Sequence, residues 1–275
     1  MRRISYPNLA SAVIVAGLLA SSTAFAADGL TCPGNTPNPN SANINLRAFN
    51  DCPTATLSST NNYPASIVIS EQDDDCFGGA NLDTWSFSTD GGLTKAKFEN
   101  CSYYHFCATV CLDGNANAEA GLRLSPWWSP DADGKFMINA GTGEIAIFSG
   151  RLPFYSFSNP PHSIRYQRGS CVTLDVVYNP HTLQSFDPAT ITYSVTIGAN
   201  TYSSGPIPFD QGNPAEGHGE WGELFPAYAG GYFQIPGGNG VLLGMVCTWS
   251  NICYENLGST PTVKSTWGRV KSLYR

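Results

Sequence analysis

The sequence has few charged residues and no apolar run long enough to span a membrane as a helix. Only 13% of its 275 residues are Asp, Glu, Lys or Arg, whereas 12% are aromatic, and the chain contains 28 glycines and 19 prolines. Between residues 62 and 257 no segment repeats apolar residues with the helical period of 3.6. This composition disfavours helices with charged faces and favours strands joined by tight turns.

The first 26 residues have the features of a secretory signal peptide. Arg2 and Arg3 precede a short apolar stretch at residues 10–20, and an Ala-Phe-Ala cleavage pattern follows at residues 24–26. The apolar stretch is shorter than the roughly 20 residues of a membrane-spanning helix. We therefore expect a secreted protein, whether extracellular, periplasmic or on the cell surface, with no transmembrane segment in the mature chain.

Basic residues are scarce in the body of the chain. All 21 acidic residues lie between Asp28 and Glu255, a stretch with eight basic residues, which gives it a net charge of −13. A surface this acidic disfavours nucleic acid and anionic membranes. It is compatible with a glycan, a cell-surface component or a cation.

Short strand-like segments follow one another through most of the chain. Residues 103–112, 171–178 and 190–197 are the clearest, and Gly-Ala-Asn at 198–200 predicts a hairpin. A dozen or so such segments predict an all-β, two-sheet antiparallel sandwich at residues 62–257. An Asn- and Pro-rich segment at 27–61 precedes it, and a linker and basic amphipathic tail at 258–275 follow it.

The nine cysteines predict disulfides in an exported chain. Cys247 and Cys253 are the nearest local pair, and Cys32–Cys52 is a second predicted pair. Cys107 lies four residues before Cys111 in a strand-like run, so the two face the same side and are too far apart to bond each other. Each of them is expected to pair with a neighbouring strand. A zinc site is disfavoured because no paired Cys-x-x-Cys spacing occurs.

Two stretches resemble the concanavalin A-like jelly-roll superfamily, which includes lectins, laminin-G-like modules and some glucanases. The first is EAGLRLSPWWSPDADGKFMINAGTGEIAIFSGRLPFYSF at 119–157, which looks like successive strands around an aromatic loop. The second is TWSNICYENL at 248–257, which is similar to the closing strand of such domains. The resemblance extends to secreted bacterial proteins with this signature, and it implies a disulfide-stapled jelly-roll sandwich.

The sequence lacks the motifs of the common hydrolases. Glycoside hydrolysis requires two carboxyl groups across the scissile bond, and the E-x-D-x-E run that jelly-roll glucanases carry on one strand is absent. Glu216, Glu220 and Glu223 lie close together in a segment that reads as a loop, and Glu144 begins a strand. No Gly-x-Ser-x-Gly elbow and no phosphate-binding loop occur. We therefore predict no catalytic residue and no cofactor.

Aromatic residues in polar loops predict ligand binding instead. Trp127 and Trp128 lie near Asp131 and Asp133, and Trp221 lies between Glu220 and Glu223. Sugar rings pack on flat aromatic side chains while polar groups bind their hydroxyls. The alternative is that these tryptophans cap the core.

Oxygen donors also predict a structural calcium ion. Asp131 and Asp133 are the predicted ligands, and Asp113, Asn115, Asn117 and Glu119 alternate, so they would share a face if extended. The alternative is that these residues only form turns, in which Asp, Asn and Gly are common.

The leading hypothesis is therefore a secreted, non-catalytic β-sandwich that binds carbohydrate or another extracellular ligand. The first alternative is a structural or surface-display protein attached through its C-terminal tail. The second is a glycoside hydrolase or lyase.

Overall fold

The computed structural model describes residues 37–50, 52–73, 80–98, 102–125, 134–148, 152–181, 186–208, 228–236 and 242–259. These residues form fourteen strands and no helix. The strands are β1 (Ser41–Asn50), β2 (Thr56–Asn62), β3 (Ser66–Asp73), β4 (Ala80–Ser88), β5 (Ser102–Gly114), β6 (Glu119–Ser125), β7 (Gly134–Asn139), β8 (Ile145–Phe148), β9 (Tyr155–Ser156), β10 (Cys171–Asn179), β11 (Thr190–Ile197), β12 (Asn200–Pro208), β13 (Tyr228–Pro236) and β14 (Leu243–Ser259).

The strands form two seven-stranded antiparallel sheets. Sheet A has the order β1-β4-β13-β6-β7-β8-β9, and sheet B has the order β12-β11-β10-β5-β14-β3-β2. The predicted all-β antiparallel sandwich is confirmed. The predicted hairpin is confirmed as well, since β11 and β12 are joined by Gly198 and Ala199.

Strict alternation places the core between the sheets. In β5 and β10 every second residue is buried, and the residues between them are partly exposed. One buried cluster joins both sheets, and its aromatic members meet edge to face, as Trp85 does with Phe87 and Trp249. Each large buried side chain contributes about 1.5–3 kcal/mol, so this cluster is the main source of stability.

Two disulfides join neighbouring strands on the outer face of sheet B. Cys111 of β5 is bonded to Cys171 of β10, and Cys107 of β5 is bonded to Cys253 of β14. The expectation that Cys107 and Cys111 each pair with a neighbouring strand is therefore confirmed. Cys52 is disulfide-bonded, and Cys32 lies outside the described residues, so the Cys32–Cys52 pair stays a prediction.

The predicted Cys247–Cys253 pair is wrong. Cys247 is a free thiol buried in the core, whereas Cys253 faces outward. The cause is a β-bulge in β14 between Ser250 and Cys253, at which Asn251 has a φ of 50°. A bulge adds one residue to a strand and so reverses which face the following side chains occupy.

The alternating oxygen donors at residues 113–119 do not share a face. Asp113 ends β5 in sheet B, whereas Glu119 begins β6 in sheet A. Between them, the Asn115 side chain bonds the backbone of Gly244, and Asn117 accepts a hydrogen bond from Arg168. The two amide side chains therefore stabilise the loop that connects β5 of sheet B to β6 of sheet A.

Strands begin earlier in the chain than composition indicates. The Asn- and Pro-rich stretch contributes β1 to sheet A and β2 to sheet B. The predicted signal peptide and C-terminal tail lie outside the described residues. None of the described residues belongs to a helix long and apolar enough to cross a membrane.

Candidate functional site

The outer face of sheet A carries a compact group of charged and polar side chains. Strand register brings them together: Arg123 of β6 lies opposite Lys135 of β7, and Glu119 of β6 lies opposite Gln234 of β13. Tyr232 of β13 is two residues from Gln234 and therefore shares its face. We call these five residues the sheet A polar site.

Lys135 is the centre of this site. Its ammonium donates hydrogen bonds to Glu119 Oε1 at 3.2 Å and Gln234 Oε1 at 3.1 Å. It also lies 4.7 Å from the centroid of the Tyr232 ring, which is cation–π distance. The Lys135 and Glu119 side chains are 17% and 23% exposed, so this pair and the half-buried Gln234 are the part of the site that solvent reaches.

Tyr232 lies beneath the lysine and is fully buried. Its hydroxyl has no hydrogen-bond partner. Burial raises the pKa of Tyr232 well above its ordinary value, and the nearby Glu119 charge raises it further. The phenol is therefore protonated at neutral pH and acts as a hydrogen-bond or proton donor.

Apolar side chains surround the polar ones. Leu82, Met137 and Ala146 form a small buried cluster with Tyr232, against which Phe148 packs. At one end of the site a cleft of about 300 Å³ is lined by Glu119, Gln234 and four other residues. A polymer lying across this face would meet charged groups next to an apolar floor.

The described strand residues of this face carry more cations than carboxylates. Its two cations, Arg123 and Lys135, are on adjacent strands, whereas the described strand residues of this face supply one carboxylate, Glu119. Glu144 lies in the turn before β8, two strands away from Glu119 in the sheet. The sequence predicted that Glu144 begins a strand, whereas β8 begins one residue later, at Ile145.

The comparisons with known proteins concern the fold. No protein-family model matches the chain, and no curated protein sequence matches it significantly. Solved structures do: a variant of the alginate lyase A1-II′ has a TM-score of 0.46 at 8% identity and covers 78% of this chain and 94% of that chain. The alginate lyase from Corynebacterium sp. has a TM-score of 0.42 at 12% identity, with coverage of 78% and 94%. A GH131 β-glucanase catalytic domain from Podospora anserina has a TM-score of 0.41 at 13% identity, with coverage of 83% and 90%.

The chain has the concanavalin A-like jelly-roll fold. The resemblance inferred from residues 119–157 and 248–257 is thus confirmed. The prediction of a non-catalytic binding protein is contradicted, because the jelly rolls to which the chain is similar are alginate lyases and a β-glucanase catalytic domain.

The sequence-predicted ligand residues lie outside the described part of this jelly roll. They are Trp127, Trp128, Asp131, Asp133, Glu220 and Trp221, and they stay predictions, as does a calcium ion at Asp131 and Asp133.

Sequence reasoning missed Arg123, Lys135 and Tyr232. One signal was present: in β6, Glu119 and Arg123 alternate with buried apolar residues, so two charges share a face of an otherwise apolar strand. Lys135 and Tyr232 carry no such local signal, because register alone places them beside Glu119 and Arg123.

Proposed function

We propose that this protein is a polysaccharide-cleaving enzyme that binds an anionic polysaccharide across the outer face of sheet A and cleaves it by β-elimination. The observation that carries the proposal is the adjacent cation pair Arg123 and Lys135 beside the protonated, buried Tyr232. The similar solved structures, which are named as alginate lyases and a β-glucanase, agree with a polysaccharide substrate.

The chemistry of β-elimination fits these groups. A uronate sugar loses the proton on the carbon next to its carboxylate, and the bond to the glycosidic oxygen on the adjacent carbon breaks. Cations that neutralise the carboxylate make this proton more acidic, which is the role we give to Arg123 and Lys135. Glu119 is our candidate base, and Tyr232 is our candidate donor of a proton to the leaving oxygen.

Hydrolysis is supported less well. A glycoside hydrolase holds two carboxyl groups on either side of the bond. The described strands of this face contribute Glu119, and Glu144 precedes β8, two strands away in the same sheet. A Glu119–Glu144 pair is therefore the hydrolytic alternative that the experiment must separate from elimination.

The burial of two residues limits which parts of the site a polymer can contact. Arg123 is 1% exposed and Tyr232 is fully buried, whereas Lys135 and Glu119 are partly exposed. A polymer can therefore reach the Lys135–Glu119 pair directly. Contact with Tyr232 requires a conformation in which this face is open.

The test is an assay that separates the two reactions. The full chain is incubated with alginate, with polygalacturonate and with a neutral β-glucan. Elimination is followed by the ultraviolet absorbance of the new conjugated double bond, and total cleavage is followed by reducing ends. We expect unsaturated products from an anionic polymer and none from the β-glucan.

Two tyrosine variants provide the matched comparison. Tyr232→Phe removes the proposed donor and is expected to lower the rate by about 100-fold or more. Tyr193→Phe removes another fully buried hydroxyl that lacks a partner, but in the core, and is expected to keep full activity. Reducing ends without unsaturated products, lost in both Glu119→Gln and Glu144→Gln, would replace elimination by hydrolysis. Absence of cleavage of every polymer would overturn the proposal.

A further inference from the structure

The outer face of sheet B, opposite the sheet A polar site, carries a second group of chemically reactive side chains. Three adjacent strands supply them: Asp175 from β10, His105 and Cys107 from β5, and Cys253 and Glu255 from β14. Cys107 lies directly opposite both Asp175 and Cys253, and His105 lies opposite Glu255. We call these five residues the His105 cluster.

The donor atoms of the cluster lie within metal-binding reach of one another. The imidazole of His105 and the sulfurs of Cys107 and Cys253 are all within 4.8 Å of each other. His105 Nε2 is 4.0 Å from Cys253 Sγ and 2.6 Å from Asp175 Oδ2. A tetrahedral zinc ion with Zn–S bonds of about 2.3 Å and Zn–N bonds of about 2.0 Å holds such donors about 3.5–4 Å apart.

We propose that, once the Cys107–Cys253 disulfide is reduced, His105, Cys107 and Cys253 bind one zinc ion, so that this face exchanges a disulfide for a metal site. Two thiolates and an imidazole are a ligand set that suits zinc. In the oxidised protein the two sulfurs are bonded to each other, and zinc does not bind there.

The reaction balances with a dithiol as reductant. The dithiol gives two electrons and two protons to the disulfide, which yields two cysteine thiols and the cyclic disulfide of the reductant. Zinc then replaces the two thiol protons, which pass to solvent.

Two carboxylates flank the three ligands. Asp175 Oδ2 lies beside His105 Nε2 but is not one of the three mutually close donors, so we expect a water molecule as the fourth ligand. Glu255 Oε2 is 3.8 Å from His105 Nδ1, on the side of the ring away from the metal. A carboxylate on the second nitrogen of a metal-bound histidine orients the ring and strengthens binding.

The second disulfide is a matched control within the same face. Cys111 and Cys171 also join β5 to a neighbouring strand, and Cys111 lies four residues from Cys107 on the same side. Among the described residues, no group of three metal-ligating side chains includes either of them. Reduction of this pair is therefore expected to create no zinc site.

The experiment uses the full chain before and after treatment with a dithiol, which is then removed without oxygen. Cobalt(II) is the first probe, because thiolate ligands give it intense near-ultraviolet bands, and zinc displacement of cobalt is the second. The reduced wild type is expected to show these bands with one equivalent of cobalt, and the oxidised protein is expected to show none.

Variants separate this site from the other thiols. The double variant Cys107→Ser, Cys253→Ser is expected to lose the bands after reduction, and Cys111→Ser, Cys171→Ser is expected to keep them. His105→Gln leaves every disulfide in place and is expected to weaken zinc binding by at least about tenfold. Equal cobalt bands in the reduced Cys107→Ser, Cys253→Ser protein, unchanged affinity in His105→Gln, or no bands in the reduced wild type would overturn the proposal.

Discussion

Replacement of Lys135 by methionine tests the centre of the sheet A polar site. Methionine keeps the length and apolar stem of lysine but removes the ammonium that contacts Glu119, Gln234 and the Tyr232 ring. A hydrogen bond to a charged group contributes about 1.5–3 kcal/mol, and a cation–π contact adds about 0.5–2 kcal/mol. Because the Lys135 and Glu119 side chains are 17% and 23% exposed, screening reduces these values. We expect a loss of about 2 kcal/mol, or a melting temperature lower by about 4–8 °C.

Stability and activity are then measured separately. Urea unfolding gives the free energy, and cleavage of the anionic polymer is measured well below the melting temperature, where the variant is folded. We expect KM to rise because the lysine contacts the substrate carboxylate in the ground state, and kcat to fall because that contact strengthens as charge develops in the transition state. Lys97→Met, at an exposed lysine outside the strands, is the control. A Lys135→Met protein that is less stable but cleaves the polymer at the wild-type rate would refute the functional role, and unchanged stability would refute the contact network.

Three further predictions concern the stability of the sandwich. Gly231→Ala places a methyl group 2.7 Å from Trp249 Nε1, between two buried indoles, and is expected to cost about 1–3 kcal/mol in urea unfolding. The double variant Cys111→Ser, Cys171→Ser opens a link across 60 residues and is expected to cost about 3–4 kcal/mol by the same measurement. Asp90 has its pKa lowered to about 2 by hydrogen bonds within its turn. Its contribution to stability is therefore present above the ordinary carboxyl pKa and is lost as the pH falls toward about 2, which an NMR titration of its carboxyl carbon checks.

The glycine and Asp90 predictions each have a comparison that can contradict them. Gly244→Ala adds a methyl group whose nearest neighbour, Gln72 Cγ, is at 3.5 Å, and it is expected to leave stability nearly unchanged. An equal effect of both glycine variants would contradict the packing argument. Thr94→Ala removes the hydrogen bond that the Thr94 hydroxyl donates to Asp90 Oδ2, keeps the one from the Thr94 backbone N–H, and is expected to raise the pKa of Asp90 toward the ordinary value. An Asp90 pKa that is ordinary in the wild type would contradict the turn geometry.

Much of sheet B is predictable because its strands obey a strict period of two. The segment YYHFCATVCL alternates buried and outward side chains, and the structure keeps that alternation along all of β5. The same pattern holds along β10 and in most of β11. A shift of one residue in register would turn the apolar side chains of such a strand toward solvent, so its register is strongly restricted. The local sequence pattern is therefore enough to predict these strands.

The bulge in β14 is where the local pattern fails. The spacing from Cys247 to Cys253 is even, which in a regular strand puts both side chains on one face. Asn251 takes a positive φ and adds one residue, so Cys247 enters the core and Cys253 joins Cys107 outside. Asn is among the residues that tolerate this conformation, but its presence does not require it.

The sheet A polar site is not readable from local sequence because its members meet only through register. Lys135 and Tyr232 are 97 residues apart in the chain, on strands that both flank β6. The sequence predicted a ligand-binding site at tryptophans in loops. The charged residues of the sheet A polar site instead lie on the face of a sheet. The outer face of an antiparallel sheet needs no charge for folding, so charges grouped there indicate function more than stability.

A buried hydrogen bond connects the two sheets directly behind the site. Trp249 Nε1, from β14 of sheet B, donates to the Gly121 carbonyl of β6 at 3.0 Å inside the core. Gly121 lies between Glu119 and Arg123 on the outer face of sheet A, directly opposite Tyr232. The β5–β14 pair is cross-linked from outside by the Cys107–Cys253 disulfide, so Trp249 stands on a cross-linked part of sheet B. The position of the catalytic candidates is therefore set from the opposite sheet, through a buried indole, and not only by the strands that carry them.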